Sequence, residues 1–146
     1  MNPAYYDANY LVKLQINEGG STEVQLHATT VSEIYTAQHS RAEFASAAFR
    51  KIREGVATAG DFQRLTAQLK SDIATGTIVL LPLTEAIIDR VETTFATAPA
   101  TTYLRAADAL HLATAAEHGF TEIHSNDKHL LAAAPLFGLT GVNVIP

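Results

Sequence analysis

The apolar positions of this chain change period along its length. Short runs such as Ala4-Tyr5-Tyr6, Ile34-Tyr35-Thr36-Ala37 and Ile78-Val79-Leu80-Leu81-Pro82-Leu83 alternate with longer stretches in which apolar residues recur every three or four positions. The runs read as buried strands and the stretches as amphipathic helices; their alternation is the pattern of βα units feeding a mostly parallel sheet. Strands are expected at about 4–7, 34–38, 78–83, 121–124 and 142–145, which makes a sheet of about five strands. Helices are expected at about 8–16, from the Gly19-Gly20-Ser21 turn to about 33, at about 41–55 and 59–75, from the cap Thr84 to about 96, and at about 102–118 and 126–134. Gly119 stands where a left-handed residue would close the helix before it. No repeat, low-complexity tract or long linker divides the sequence, so residues 1–146 read as a single α/β domain.

In a parallel sheet all strands end on one edge and the following helices begin there, and ligands bind at that edge where strand order switches. Four carboxylates fall at such positions. Asp7 leaves the first strand, Glu43 lies in the first turn after the second, Asp108 sits in the helix leading into the fourth, expected in its second turn, and Asp127 opens the helix after it. Clustered acids repel and raise one another's pKa. Hard divalent cations such as Mg²⁺ or Mn²⁺ resolve that conflict, and a pair of them can run phosphodiester hydrolysis.

Each acid also has a structural reading. Ser40-Arg41-Ala42-Glu43 matches a capping box, and Asp7 and Asp127 are good helix caps. Asp108 lies in a segment almost free of charge, with Leu104 and Leu112 at i−4 and i+4, and a buried carboxylate there needs a partner. Arg105, three residues earlier, is the available one.

Composition narrows the choice. The chain of 146 residues is 47% hydrophobic and 17% charged, which suits an ordinary core. No stretch reads as a membrane span, Met1-Asn2-Pro3 lacks the features of a signal peptide, and a cytoplasmic protein is expected. With no cysteine, disulfides, thiolate nucleophiles and cysteine-bound zinc are excluded. The net charge is −5. The four candidate acids account for most of it, so the rest of the surface is near neutral and metal at the site would remove the obstacle to binding nucleic acid.

Tyr6-Asp7-Ala8-Asn9-Tyr10-Leu11-Val12-Lys13-Leu14, Ser40-Arg41-Ala42-Glu43, Leu104-Arg105-Ala106-Ala107-Asp108-Ala109-Leu110-His111-Leu112-Ala113 and Ser125-Asn126-Asp127 resemble, in order, the four motif blocks of PIN-domain nucleases, especially VapC-type toxins. The resemblance implies a three-layer α/β/α sandwich and a Mg²⁺- or Mn²⁺-dependent endoribonuclease, commonly dimeric and silenced by a cognate antitoxin protein. It assigns Asp7, Glu43, Asp108 and Asp127 to the acidic quartet and matches Ser125 to the small hydroxyl residue that often precedes the last acid. Ala8 departs from the pattern, where a hydroxyl residue is frequent; Asn9 is the polar neighbour. Lys13, Arg41 and Arg105 adjoin the acids and are candidates for meeting substrate phosphates, with Asn9, Ser40 and Ser125 as supporting polar groups.

Two rival functions remain at this level. His111 and His118 share a helical face, and His124 and His129 flank Asp127, which allows a His/Asp transition-metal hydrolase, although no H-E-x-x-H spacing occurs. Alternatively, Phe44, Phe49, Ile52, Val56, Phe62, Leu65 and Leu69 supply two amphipathic helices for clasping a partner helix or a second copy, in a protein-binding module. The basic cluster Arg50, Lys51 and Arg53 reads as a solvated helix face. Tyr5, Tyr6, Tyr10 and Phe44 read as core rather than as base-stacking surface.

Overall fold

The computed structural model describes residues 1–146. Strands β1 (Ala4–Tyr5), β2 (Ile34–Ala37) and β3 (Ile78–Leu81) pair in the order β1-β2-β3, and β4 (Glu122–His124) pairs with β5 (Thr140–Val142). All these pairings are parallel. A parallel bridge between Tyr6 and His124, with the Asp7 N–H donating to the His124 carbonyl at 3.1 Å, joins the two sets. The result is one parallel sheet in the order 3-2-1-4-5, in which the direction of winding reverses between β1 and β4.

Alternation along the strands builds two cores. Tyr6, Ile34 and Ile78 face a layer made by α1 (Ala8–Gln15), α2 (Ser21–Ala28), α3 (Ser40–Arg53) and α4 (Ala59–Ala74), where they pack with Tyr10, Leu11, Phe44 and Leu69. Tyr5, Ala37 and Leu81 face the opposite way, toward α5 (Glu85–Thr97), α6 (Ala106–Glu117) and α7 (Lys128–Ala133). This is the expected three-layer α/β/α sandwich. Tyr5, Tyr6, Tyr10 and Phe44 are wholly buried, each stabilising the fold by about 1.5–3 kcal/mol, which confirms them as core.

Three elements depart from the sequence reading by more than two residues. Helix α2 ends at Ala28, not near residue 33, because the hydroxyls of Thr29 and Thr30 donate to the Leu26 and His27 carbonyls at 2.7 Å and take the place of further helical turns. Helix α6 begins at Ala106, not near 102; Thr101, Thr102 and Tyr103 are poor helix formers, and the Thr102 N–H closes a turn onto the Pro99 carbonyl. That moves Asp108 from the second turn of its helix to the first. Strand β5 lies at Thr140–Val142, ahead of the expected 142–145, since the Tyr10 hydroxyl and the Asn143 side chain take the N–H groups of Val144 and Ile145. Gly119, at φ 78°, closes α6 as expected.

Candidate functional site

A crevice of about 380 Å³ opens at the carboxyl edge of the sheet, next to the β1/β4 switch, and Asp7, Glu43, Asp108 and Asp127 all line it. Each acid is placed by the element it begins. Asp7 caps α1: one oxygen accepts the Tyr10 N–H at 3.0 Å, and the other accepts the Ser125 hydroxyl. The same Ser125 oxygen accepts the Asp127 N–H at 2.9 Å, so one buried hydroxyl ties the end of β1 to the end of β4. Asp127 caps α7, its Oδ1 accepting the N–H groups of His129 and Leu130 at 2.8 and 3.3 Å while Oδ2 faces the crevice and Arg105. The capping readings of Asp7 and Asp127 are therefore correct and compatible with a place in the site, because a carboxylate has a second oxygen to offer.

For Glu43 the capping box is not formed. Ser40 is the first residue of α3 rather than its cap, and its buried hydroxyl bonds the Thr36 hydroxyl at 2.6 Å. Glu43 instead turns toward α6, where its Oε1 lies 2.7 Å from His111 Nε2 and 3.3 Å from His39 Nε2. The expected Arg105–Asp108 pair exists at 3.6 Å, but the guanidinium is 64% exposed and is shared with Asp127 at 3.5 Å. Such a pair is worth at most about 1 kcal/mol. Arg105 is a loose counter-ion to two acids rather than the partner of one.

The electrostatics follow from these contacts. Burial pushes the Asp7 carboxyl up to about 6, against the pull of the nearby His111, the Ser125 hydroxyl and the Tyr10 N–H. Burial, then the charge of Asp127, also raises Asp108. Glu43 goes the other way: burial raises it, yet the hydrogen bond from His111 and the charges of His111, His39 and Arg105 together hold it below its ordinary value.

Not every anticipated side chain reaches the crevice. Asn9 and Arg105 line it, and Ala8 does too. Lys13 does not: its ammonium donates to the Gly19 carbonyl at 2.6 Å and pairs with Glu18 at 3.4 Å. Arg41 points to solvent on the exposed side of α3, outside the lining. In their place Arg50 and Arg53 form part of the wall while remaining exposed, so the solvated face read for them is also the rim of the crevice. Their signal was helical spacing, since Glu43, Ser46, Ala47, Arg50 and Arg53 follow one face of α3.

The histidines are dispersed. His118 bonds the Thr114 carbonyl, His129 packs on Tyr103, and His124 stacks near His27, its ring centroid 4.7 Å away. No site joins His111, His118, His124 and His129. The grouping that does form, His39, Glu43 and His111, included one residue the sequence reading passed over: His39, one helical turn before Glu43. Of the apolar residues proposed to clasp a partner, Phe44 and Leu69 are buried and Ile52, Phe62 and Leu65 half-buried, which leaves Phe49 and Val56 exposed.

A family model described as PIN domain matches residues 4–135. No curated protein matches the sequence. Among solved structures, the fold is similar to Mycobacterium tuberculosis VapC20, a sarcin-ricin loop cleaving toxin (TM-score 0.69, 13% identity, covering 89% of this chain and 94% of that one). It is equally similar to FitAB bound to the IR36 DNA fragment (TM-score 0.69, 15% identity, 98% and 96% covered). FitAcB from Neisseria gonorrhoeae gives the same score at 14% identity, with 97% of each chain covered.

Proposed function

The chain belongs to the PIN domain family, whose members are typically nucleases, and from that premise we propose that it is a metal-dependent endoribonuclease, the toxin of a toxin–antitoxin pair. The observation that carries the reading is the convergence of four carboxylates from four separate segments on one crevice at the β1/β4 switch. VapC20, a toxin that cleaves the sarcin-ricin loop, shares the fold and supports the choice of RNA.

The residues fit a hard cation. The donors are oxygens, Asp7 and Asp108 carry raised pKa values that mark uncompensated repulsion and burial, and the nearest guanidinium is exposed and loosely shared. Bound there, Mg²⁺ or Mn²⁺ would supply a water of lowered pKa and an electrophile for the phosphoryl oxygens. Asp7, Asp108 and Asp127 would hold the principal ion, each on a backbone already fixed by a cap or first turn, and Glu43 would complete a second site or orient the attacking water. Ser125 keeps the Asp7 and Asp127 segments in register. Arg50 and Arg53, on the rim beside the acids, take the phosphates that flank the scissile bond.

The whole of residues 1–146 acts as one nuclease domain in the cytoplasm, with a cognate antitoxin protein and a second copy of the chain as partners. No helix is long and apolar enough to cross a membrane. Likeness to a toxin supports the antitoxin, and the exposed Phe49 and Val56 offer apolar contact area. A map of new RNA 5′ ends after induced expression tests the activity. Ends that accumulate with the parent chain and vanish with Asp7→Asn are expected, together with cleavage by purified protein in Mg²⁺ or Mn²⁺ but not in chelator. Identical maps for parent and variant, or cleavage that persists in chelator, overturn the reading.

A further inference from the structure

The side chain of Glu43 is held by a buried chain of hydrogen bonds that starts on β1. A carboxylate only accepts, so His111 Nε2, 2.7 Å from Oε1, carries the hydrogen of that bond. His111 in its neutral form then has a bare Nδ1, and the Tyr5 hydroxyl, 2.8 Å away, donates to it. Tyr5 and His111 are both essentially inaccessible to solvent. His39 Nε2 donates to the Ala107 carbonyl at 3.0 Å, which leaves it 3.3 Å from Glu43 Oε1 in a close contact rather than a hydrogen bond.

We infer that Tyr5, His111 and His39 are positioning residues for the nuclease reaction, a cradle that fixes Glu43 Oε1 so that Oε2 alone is presented to the crevice. This rests on the nuclease reading above. A glutamate on the half-exposed rim of a helix has three rotatable bonds and loses rotamer freedom when fixed. The His111 N–H on Oε1, backed by the Tyr5 hydroxyl on Nδ1, supplies the restraint, and the His39 ring, held by the Ala107 carbonyl, flanks the same oxygen. Tyr5 stands two residues before Asp7 on the same strand, so β1 delivers one acid directly and orients another through His111. Through Ala107, His39 ties the start of α3 to the first turn of α6. The cradle thereby links the three elements that carry Asp7, Glu43 and Asp108.

The same three residues could be taken for a transition-metal site, since their ligand atoms lie within 4.8 Å of one another. The hydrogens argue against it. For His39 to offer Nε2 as a ligand, its lone pair would have to face the Ala107 carbonyl, which only accepts, at 3.0 Å.

The test uses the full chain and the variants Tyr5→Phe, His111→Gln, His111→Ala and Glu43→Gln. Tyr5→Phe removes one oxygen from the core, and His111→Gln retains a donor; melting curves establish that each is folded. The loss of kcat on RNA is expected to fall in the range of about 10–100-fold that groups behind a metal ligand typically show, with KM for RNA unchanged. It should be greatest for His111→Ala and partly rescued by His111→Gln. Mn²⁺ affinity, read by electron paramagnetic resonance, should weaken in parallel. In the Glu43→Gln background, removing His111 should add nothing, because the two act as a unit. Imidazole nitrogen shifts in the parent should show His111 protonated at Nε2. The inference is overturned by folded Tyr5→Phe and His111→Ala with parental kcat and Mn²⁺ affinity, by losses that multiply fully with Glu43→Gln, or by stoichiometric Zn²⁺ that removes both Nε2–H signals. A parent chain that never cleaves RNA sinks the nuclease reading instead, while a cleaving parent with unaffected variants sinks only the cradle.

Discussion

On the α3 side of the crevice, Glu43 accepts the His111 N–H, lies beside His39 and is held below its ordinary pKa. Across from it, Asp7 and Asp108 are also withdrawn from solvent, yet both are raised, Asp7 to about 6. Burial acts in the same direction on all three. What separates them is how the surrounding groups engage each acid: Glu43 takes a hydrogen bond from His111 as well as the charges of His111, His39 and Arg105, whereas Asp7 has the charge of His111 with one hydroxyl and one backbone N–H, and Asp108 has an exposed, shared guanidinium and the charge of His111. A charged cluster can thus be half satisfied by the protein and half left for a ligand.

The largest expected effect comes from breaking the unsatisfied side. Asp108→Asn should abolish RNA cleavage, a loss beyond the roughly 10–100-fold typical of groups that stand behind a ligand. In chelator its melting temperature should equal or exceed the parent's, because one member of a repelling set has been neutralised. Glu43→Ala should also lose activity but melt lower in chelator, since it strands the buried His111 N–H. Melting curves with and without Mg²⁺ check both; a clear destabilisation by Asp108→Asn, with the parental Mg²⁺ increment intact, would restore the structural ion pair with Arg105.

A pH series sharpens the comparison. The folded pKa of Asp7 lies above its unfolded value of 3.8, so its favourable contribution is complete below about pH 4 and is lost as pH rises through about 6. The loss amounts to about 3 kcal/mol. Metal-free parent protein should therefore weaken relative to Asp7→Asn between about pH 4 and 6.5, and saturating Mg²⁺ should flatten the difference. Asparagine still caps α1, which keeps the comparison clean. Glu43 has the opposite sign: its contribution is present above the ordinary glutamate range and fades as pH falls below it. Equal pH profiles for the parent and Asp7→Asn would contradict the burial argument.

A smaller effect separates substrate contacts from ion binding. Arg50→Ala and Arg53→Ala should each raise KM for RNA several-fold and lower the salt slope of binding by about 1, without altering Mn²⁺ affinity. Unchanged salt slopes would return these arginines to the solvated face first read for them. Smallest of all, Arg105→Ala should shift metal-free stability by no more than about 1 kcal/mol and slightly tighten Mg²⁺ binding, as a competing cation is removed. A shift several times larger by chemical denaturation would show that the exposed guanidinium holds the acids together.

Much of this architecture was legible from residue patterns. The switch between strand and helical periods located the βα units, and the parallel sheet followed, because βαβ connections favour it. The acids could be placed on one edge since each stands at a junction where direction is set by the chain itself. Asp108 was displaced by one turn only because Thr101, Thr102 and Tyr103 lie in a turn and connecting segment ahead of α6. Arg50 and Arg53 were on view as members of the Glu43 face of α3, but helical spacing alone does not say whether that face meets solvent or a crevice.

By itself, then, the sequence determined the elements, their order and the edge on which the four carboxylates would appear, since these depend on local periodicity, caps and the geometry of a parallel crossover. Only the tertiary structure decided the strand order 3-2-1-4-5, and with it which acids became neighbours. It also decided which of them found donors. Tyr5 and His111 are 106 residues apart, and Glu43 and His111 are separated by 68. Contacts of that separation come from the packing of α3, α6 and β1 against one another, and the packing is what left Glu43 hydrogen-bonded and Asp108 with little more than an exposed, shared arginine.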